Sequence, residues 1–308
     1  MAIVKSAVRI ILREHAKYQF SGPALSLGVP EIYATYGELE KWFPELAGRP
    51  CSLKPTDARV TMNATGKKLG WVTSGTFFQS LGISEVTTVD IPGCEHMPDL
   101  FHDLNQPLPP HFSDRFNLVL DPGTMEHVFD IKMGLTNIVQ ALRIGGIIIH
   151  QVPIYSYNGG YYSINPNVLN DFYRENGFSE LKAFIIMWDR YRAYTGKHRC
   201  YEYNNELFGG RHAVADYDQC RFSPHMLFIA RKTQALSEIR IPLQYESHYL
   251  DRQVGGFSKS ELGLLTRIRK RGSSLLYAAL PFALVHFLWS WLERNVQWFK
   301  THRKSFWT

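Results

Sequence analysis

Cysteine is scarce in these 308 residues, and several other features are missing with it. The four cysteines, Cys51, Cys94, Cys200 and Cys220, include no CxxC pair, which excludes a disulfide framework and suits a reducing compartment. There is no internal repeat and no low-complexity run, so solenoids and disordered tails are excluded as the main architecture. The amino-terminal residues carry Lys5, Arg9 and Arg13 among apolar positions, so no uninterrupted apolar core of a secretory leader is expected there. Positive charge is also missing where nucleic acid would need it. The net charge is +6, but nine Lys/Arg against two Glu fall from Ser258 onward, leaving the preceding chain at −1. No broad basic face remains for a duplex, and nucleic acid is not an expected partner.

One more absence falls in a telling place. The stretch ALSLGVPEIY, Ala24 to Tyr33, reads as a short buried strand running into Gly28. An α/β nucleotide-binding domain turns there from its first strand into a glycine-rich loop. The second and third glycines are missing, and Val29, Pro30 and Glu31 stand in their place. An NAD(P)-binding Rossmann enzyme is disfavoured on that ground.

What is present alternates between strand and helix. Residues 2–17 space Ile3, Val4, Ala7, Ile10, Ile11 and Leu12 as one face of an amphipathic helix. Strands are expected at Ala24–Leu27, Glu85–Ile91, Phe116–Gly123 and Ile147–Pro153, with helices at Val128–Leu142 and 166–178. LKAFIIMWD and HMLFIARK read as a closing antiparallel pair separated by a polar loop. This order implies a mainly parallel sheet covered on both faces. The expected divisions are an amino-terminal helix (1–20), an α/β domain (21–235) with an insertion at about 44–76, a linker (236–259), and a basic, apolar helical tail (260–308).

Ligands of such sheets lie beyond the carboxyl ends of the strands, and four ends carry suitable groups. Asp90 closes its strand about sixty residues after Gly28. A carboxylate there accepts two ribose hydroxyls side by side, or else serves the Pro92-Gly93 turn. HDLNQPLP places Asp103, Leu104 and Asn105 in a loop suited to an adenine edge and face, or to an Asx-turn before Pro107. LDPGTMEHVFD sets Asp121, Gly123, Glu126 and His127 at a third end. Glu126 and His127 form an acid/base or substrate-orienting pair, or Glu126 merely suits a helix dipole. His150 and Gln151 lie at the fourth end. YSYNGGYY, Tyr155 to Tyr162, is an aromatic substrate wall or a packed loop. His198, Cys200, His212, Cys220 and His225 share one region, but only His198/Cys200 approaches zinc spacing, so no metal is expected.

In their order and spacing, FFQSLGISEVTTVDIPGCEHMPDLFHDLNQPLPPHF, FNLVLDPGTMEHVFD, IVQALRIGGIIIHQVP and INPNVLNDFYRENGF resemble the class I S-adenosylmethionine-dependent methyltransferases. The resemblance is to bacterial members with a GTLEHVF-like segment, linked to polysaccharide and other cell-envelope pathways, and it spans about residues 20–235. It implies a Rossmann-like, doubly wound, seven-stranded sheet with an antiparallel last strand, and S-adenosylmethionine as cofactor. The cofactor would meet Gly28, Asp90 (ribose), Asp103 and Leu104 (adenine), Asp121 and Gly123. The segment Asp121–His127 would line the methyl-transfer site, with His127 as base for a hydroxyl acceptor and His150 second. The acceptor class is a small molecule or glycan. The chain departs from the family at its first motif, where the family's strand acid is Ser26 and only Gly28 survives. A non-catalytic scaffold or partner subunit of an envelope-synthesis complex is the alternative.

The tail adds a partner of its own. Residues 274–292, SLLYAALPFALVHFLWSWL, carry no formal charge and are flanked on both sides by Lys and Arg. The length approaches the ~20 residues of a bilayer-spanning helix. Charge on both sides, Pro281 and His286 favour instead a helix or bent hairpin lying in the cytoplasmic leaflet through residues 274–308. The expected location is therefore cytoplasmic and peripheral at the membrane. The other reading is an apolar helix buried against the main domain or a second copy of the chain in a homo-oligomer.

Overall fold

The computed structural model describes residues 2–44, 69–93, 97–155, 159–189, 198–203, 222–243 and, as backbone, 305–307. The elements are β1 (Ala2–Ile3), α1 (Lys5–Tyr18), β2 (Ala24–Leu27), β3 (Glu31–Ile32), α2 (Tyr36–Trp42), α3 (Ser74–Ser80), β4 (Val86–Asp90) and β5 (Leu100–Phe101). After these come β6 (Phe116–Asp121), α4 (Ile131–Ala141), β7 (Leu142–Pro153), α5 (Pro166–Glu175), β8 (Phe178–Asp189), β9 (Arg199–Tyr203), β10 (Phe222–Lys232) and β11 (Ser305–Trp307).

The main sheet runs β11-β9-β8-β10-β7-β6-β2-β4-β5. From β7 through β5 all neighbours are parallel. β10 is antiparallel to both β7 and β8, so β8 points the same way as β7 and β10 is the one reversed strand among the inner seven. This is the Rossmann-like arrangement expected, with one correction. The sheet has nine strands because β9 and β11 continue it antiparallel beyond β8. The sequence pattern predicts a polar loop at residues 199–203 and a helical tail at 305–307 instead. The loop reading failed because RCYEY has too few apolar residues to mark a strand, whereas its pairing with Ala183–Met187 satisfies its backbone. The rest of the tail, and residues 45–68 of the expected insertion, lie outside the described residues. The end of that insertion is in the body: Trp71 stacks on Tyr33 with ring centroids 4.1 Å apart, and Ser74 opens α3.

Strand alternation divides the core into two layers. Leu118, Leu120, Ile147, Ile149, Leu227 and Ile229 face α1, α2 and α3. Their neighbours Val119, Ile148, Phe228 and Ala230 face α4 and α5. Both faces are covered, which is why these strands read as unbroken apolar runs. On α1, Glu14 is buried and receives Lys182 of β8 at 2.7 Å, with Arg13 and Lys17 at 3.2 and 3.4 Å. Those basic groups outweigh the cost of burial and hold the Glu14 carboxyl below its usual range. The tie fixes α1 against β8.

The junction of α4 and β7 has no loop, since the helix ends at Ala141 and the strand starts at Leu142. Its orphaned carbonyls need donors. Buried Lys232 reaches across from the end of β10, with Nζ 2.9 Å from the Val139 oxygen, 2.5 Å from that of Leu142 and 3.1 Å from Asp114 Oδ1. Lys232→Met should therefore lower unfolding free energy by about 1–3 kcal/mol, the cost of buried acceptors left without donors. Urea denaturation measures it; an unchanged midpoint would show that water replaces the ammonium.

Candidate functional site

The order of strands reverses between β2 and β6. A loop after β2 and a loop after β6 therefore leave the sheet in opposite directions and open a crevice between them. Gly28, Asp90, Asp103, Leu104, Asp121, Gly123, Glu126, His127 and His150 are all among the described residues, at or next to the ends of β2, β4, β5, β6 and β7.

On the β6 side, Asp121 is fully buried. Its Oδ1 accepts N–H groups from Gly123, Thr124 and Met125 at 3.2, 2.7 and 3.3 Å. Its Oδ2 lies 2.6 Å from His150 Nδ1, and His150 Nε2 lies 2.7 Å from the Tyr173 hydroxyl. Burial and the nearby Asp121 charge push the Tyr173 hydroxyl well above its ordinary pKa. The turn is tied to the other side of the crevice by the Thr124 hydroxyl, which donates to the Leu27 carbonyl oxygen.

This geometry revises the role of His150. With no exposed surface and both ring nitrogens engaged, it meets no substrate in this arrangement. It lies beneath the site, holding Asp121. Asp121 and Gly123 are likewise spent on the turn itself.

Glu126 and His127 end up in opposite surroundings, although they are adjacent on one short 3-10 turn. His127 is exposed. Glu126 is 5% exposed, and its Oε2 has no hydrogen-bond partner. Two glycines allow its burial. A Cβ on Gly123 (φ +103°) would stand 3.0 Å from Glu126 Oε1, and one on Gly160 (φ +136°) 2.6 Å from its backbone oxygen. That oxygen accepts the N–H groups of Tyr161 and Tyr162 at 2.8 and 3.2 Å, clamping the tyrosine loop onto the turn. Tyr161 and Phe129 are exposed there and meet edge to face at 5.4 Å. Burial, and then the Asp121 charge, push the Glu126 carboxyl up to about 8.

On the other side, Asp90 ends β4 half-buried, and its Oδ1 accepts the Ile91 N–H at 2.8 Å. Its second oxygen has no partner among the described residues, and the Ile91 side chain beside it is exposed. Asp103 is exposed, with Oδ1 accepting both the Asn105 N–H and Nδ2 at 2.9 and 2.7 Å. This Asx-turn holds its carboxyl below the usual range, chiefly through the Asn105 backbone donor. Leu104 is buried beneath it.

Sequence reasoning missed the residues that hold these loops. Asn137 of α4 donates from Nδ2 to the Leu104 and Gln106 oxygens, at 3.2 and 2.9 Å, and accepts the Leu108 N–H at 2.9 Å. Gln151 accepts the Val4 N–H at 3.2 Å and donates to the Ala2 oxygen at 2.5 Å, seating β1 against β3 at the strand ends. An asparagine inside a helical pattern carried the only signal for Asn137; Gln151 was placed at its strand end, but not its hold on β1.

The first loop is closed. The Gly28 N–H donates to the Val89 oxygen at 2.6 Å, Ser26 Oγ donates to the Gly28 oxygen at 2.7 Å, and Val29 and Pro30 are buried. Among the described residues, no group of three or more His, Cys, Asp or Glu side chains is placed to hold a metal ion. His212 and Cys220 lie outside them.

No protein-family model matches the chain, and no curated protein matches it. Solved structures do resemble it in fold. An S-adenosylmethionine-dependent methyltransferase from Archaeoglobus fulgidus is 14% identical over 74% of this chain and 94% of its own, with a TM-score of 0.38. A Burkholderia thailandensis 1,6-didemethyltoxoflavin-N1-methyltransferase, solved with its substrate and S-adenosylhomocysteine, is 13% identical over 74% and 77%, with a TM-score of 0.37. A Haemonchus contortus phosphoethanolamine N-methyltransferase is 11% identical over 75% of this chain and 53% of its own, with a TM-score of 0.39. At such distances the likeness concerns the arrangement of the chain and carries nothing about activity or ligand.

The buried carboxyl has a consequence for stability. Glu126 has an ordinary carboxyl pKa of 4.5 once unfolded and about 8 when folded. The folded state thus holds its proton more tightly between those values, and stability falls as pH rises from about 4.5 through about 8. Glu126→Gln should flatten that slope and raise the melting temperature at pH 8 relative to wild type, by roughly 2–4 °C per kcal/mol recovered. Parallel slopes in both proteins would show that the carboxyl is ionised in the folded state.

Proposed function

We propose that the protein binds S-adenosylmethionine across this crevice and transfers its methyl group to a small-molecule or glycan-type acceptor. The observation supporting it is the pair of acids at successive strand ends beside the switch point. One Asp90 carboxylate oxygen has no partner among the described residues, next to exposed Ile91, and would take the ribose hydroxyls, while exposed Asp103, backed by buried Leu104, stands one strand further out for the adenine edge. These residues fit the nucleoside half of the ligand. Bound there, S-adenosylmethionine supplies a methyl group on a sulfonium that is already an excellent leaving group. What the chain contributes is alignment and a proton acceptor. His127, exposed beside Phe129 and Tyr161, takes the proton of a hydroxyl acceptor, while His150 keeps the turn that carries His127 in place.

A second reading is favoured by the closed first loop. With the Gly28 N–H and Ser26 hydroxyl both spent internally, the chain can serve as a non-catalytic scaffold within an envelope-synthesis complex.

The tail belongs to either reading. It would hold the protein at the cytoplasmic face of a membrane through residues 274–308, on the strength of the uncharged stretch and its basic flanks. Among the described residues no helix is long and apolar enough to cross a membrane. Membranes from cells making the full chain, or a version ending near Ser258, are to be washed with high salt. The full chain should remain with them and the short one should not; a full-length protein soluble without detergent would sink the assignment.

Calorimetry with S-adenosylhomocysteine separates enzyme from scaffold before any acceptor is known. Wild type should bind, and Asp90→Ala should weaken binding by about 1.5–3 kcal/mol, the scale of hydrogen bonds to a charged group. No heat at millimolar ligand would favour the scaffold. With a hydroxyl acceptor, His127→Ala should keep that affinity and lower turnover about 10²–10⁴-fold; near-normal turnover would leave His127 a structural residue.

A further inference from the structure

Phe129 and Tyr161 are large aromatic side chains held in water. They are 69% and 67% exposed, and their rings meet edge to face, with centroids 5.4 Å apart and planes at 87°. The backbone that carries them is pinned. The Glu126 oxygen takes the N–H groups of Tyr161 and Tyr162, and the Tyr162 hydroxyl donates to the Phe129 oxygen at 2.7 Å. A Cβ on Gly160 would stand 2.6 Å from the Glu126 oxygen, so only glycine allows the clamp. Rings of this size ordinarily gain by burial. A contiguous pair held out in solvent on a fixed backbone marks a binding surface.

The pair stands beside the candidate base. Val128 is extended (φ −85°, ψ 115°) and buried, so the side chains before and after it, His127 and Phe129, leave on the same side. Two residues of extended chain span about 7 Å, a distance that one small molecule bridges.

Charge indicates what occupies the corner between the rings. From Asp121 to Ile131 and from Gly159 to Asn165 the chain has no Lys or Arg; the nearest in sequence, Lys132, follows on α4. Exposed Asp130 stands next to Phe129, fixed by accepting the Met133 N–H at 3.0 Å on Oδ1. An anion here would meet an acid and two ring faces, all of which repel it. A cation is attracted by all three, because the face of an aromatic ring is the negative part of its quadrupole.

We infer that the Phe129–Tyr161 corner is the seat of an ammonium group, and that the acceptor is accordingly an amine. As an acceptor site it rests on the methyl-transfer reading above; as a cation site it stands without it. An ammonium has no lone pair to offer, and His127 is placed to receive the proton it must lose, which passes from the nitrogen to the imidazole.

The test uses the full chain with choline and with dimethylbutanol, its uncharged carbon isostere, and reads binding from saturation transfer to their methyl protons by NMR. Choline should bind the wild type about 3–30-fold more tightly than dimethylbutanol, the range of cation–π attraction from exposed to desolvated rings. Tyr161→Leu and Phe129→Leu keep an apolar side chain without a ring face. Each should remove most of that preference while dimethylbutanol and S-adenosylhomocysteine bind as before, and Tyr161→Phe should retain it. Should the leucine variants fail to fold, the wild-type preference alone decides. Equal or tighter binding of dimethylbutanol, or a choline preference that survives both leucine substitutions, overturns the seat. Choline preference in a protein that takes no S-adenosylhomocysteine would uphold the seat and remove the methyl-transfer reading; S-adenosylhomocysteine binding with no choline preference would do the reverse.

Discussion

Burying the Asp121 carboxylate obliges the chain around it to supply donors, since a charge without partners in the interior costs several kcal/mol. Three successive backbone N–H groups and one imidazole nitrogen meet that demand. Everything at the carboxyl end of β6 follows from it. The three N–H groups bend the chain at Gly123 and start the 3-10 turn, which sends Glu126 inward and His127 outward. His150 must hold its ring toward Asp121, and Tyr173 then satisfies the other nitrogen. Through Tyr173, packed on Phe178 and Phe228, the site is joined to the core between the sheet and α5.

The two sides of the crevice are stabilised in different ways. On the β6 side, polar groups are buried and paired through side chains, which makes that wall rigid. The β4–β5 side is an exposed pair of turns, fastened from behind by Asn137 and by the Asn105 Oδ1 contact with the Asp130 N–H at 2.8 Å. Between them, the closed loop after β2 and the β1–β3 pair occupy the ground where a glycine-rich loop would stand.

Much of the fold was legible in the sequence. Apolar runs announced β2, β4, β6 and β7, the first three ending in an acid or running into a glycine. Pro166 and Asn176-Gly177 marked the ends of α5. These signals are local, because a strand buried on both faces must be apolar throughout and a helix must be capped wherever it lies. For the same reason Asp90, Asp103, Asp121, Glu126, His127 and His150 could be named as residues at strand ends. The short β1 and β9 strands were not legible, since two to five residues leave no period to read and their pairing depends on a partner far away in sequence.

Sequence alone thus determined the order of the strands and which side chains reach the carboxyl edge of the sheet. Only the tertiary structure decided what each could do there. Glu126 and His127 are neighbours in the chain, yet one is buried beside Asp121 and the other faces solvent. His150, second to His127 as a candidate base, has as its partners Asp121 and Tyr173, 29 and 23 residues away. Glu14 is buried on α1 because Lys182 reaches it from β8, 168 residues away. Burial and pairing set the behaviour of ionisable groups, and both are contributed by residues distant in sequence, so the chain order carries no trace of them.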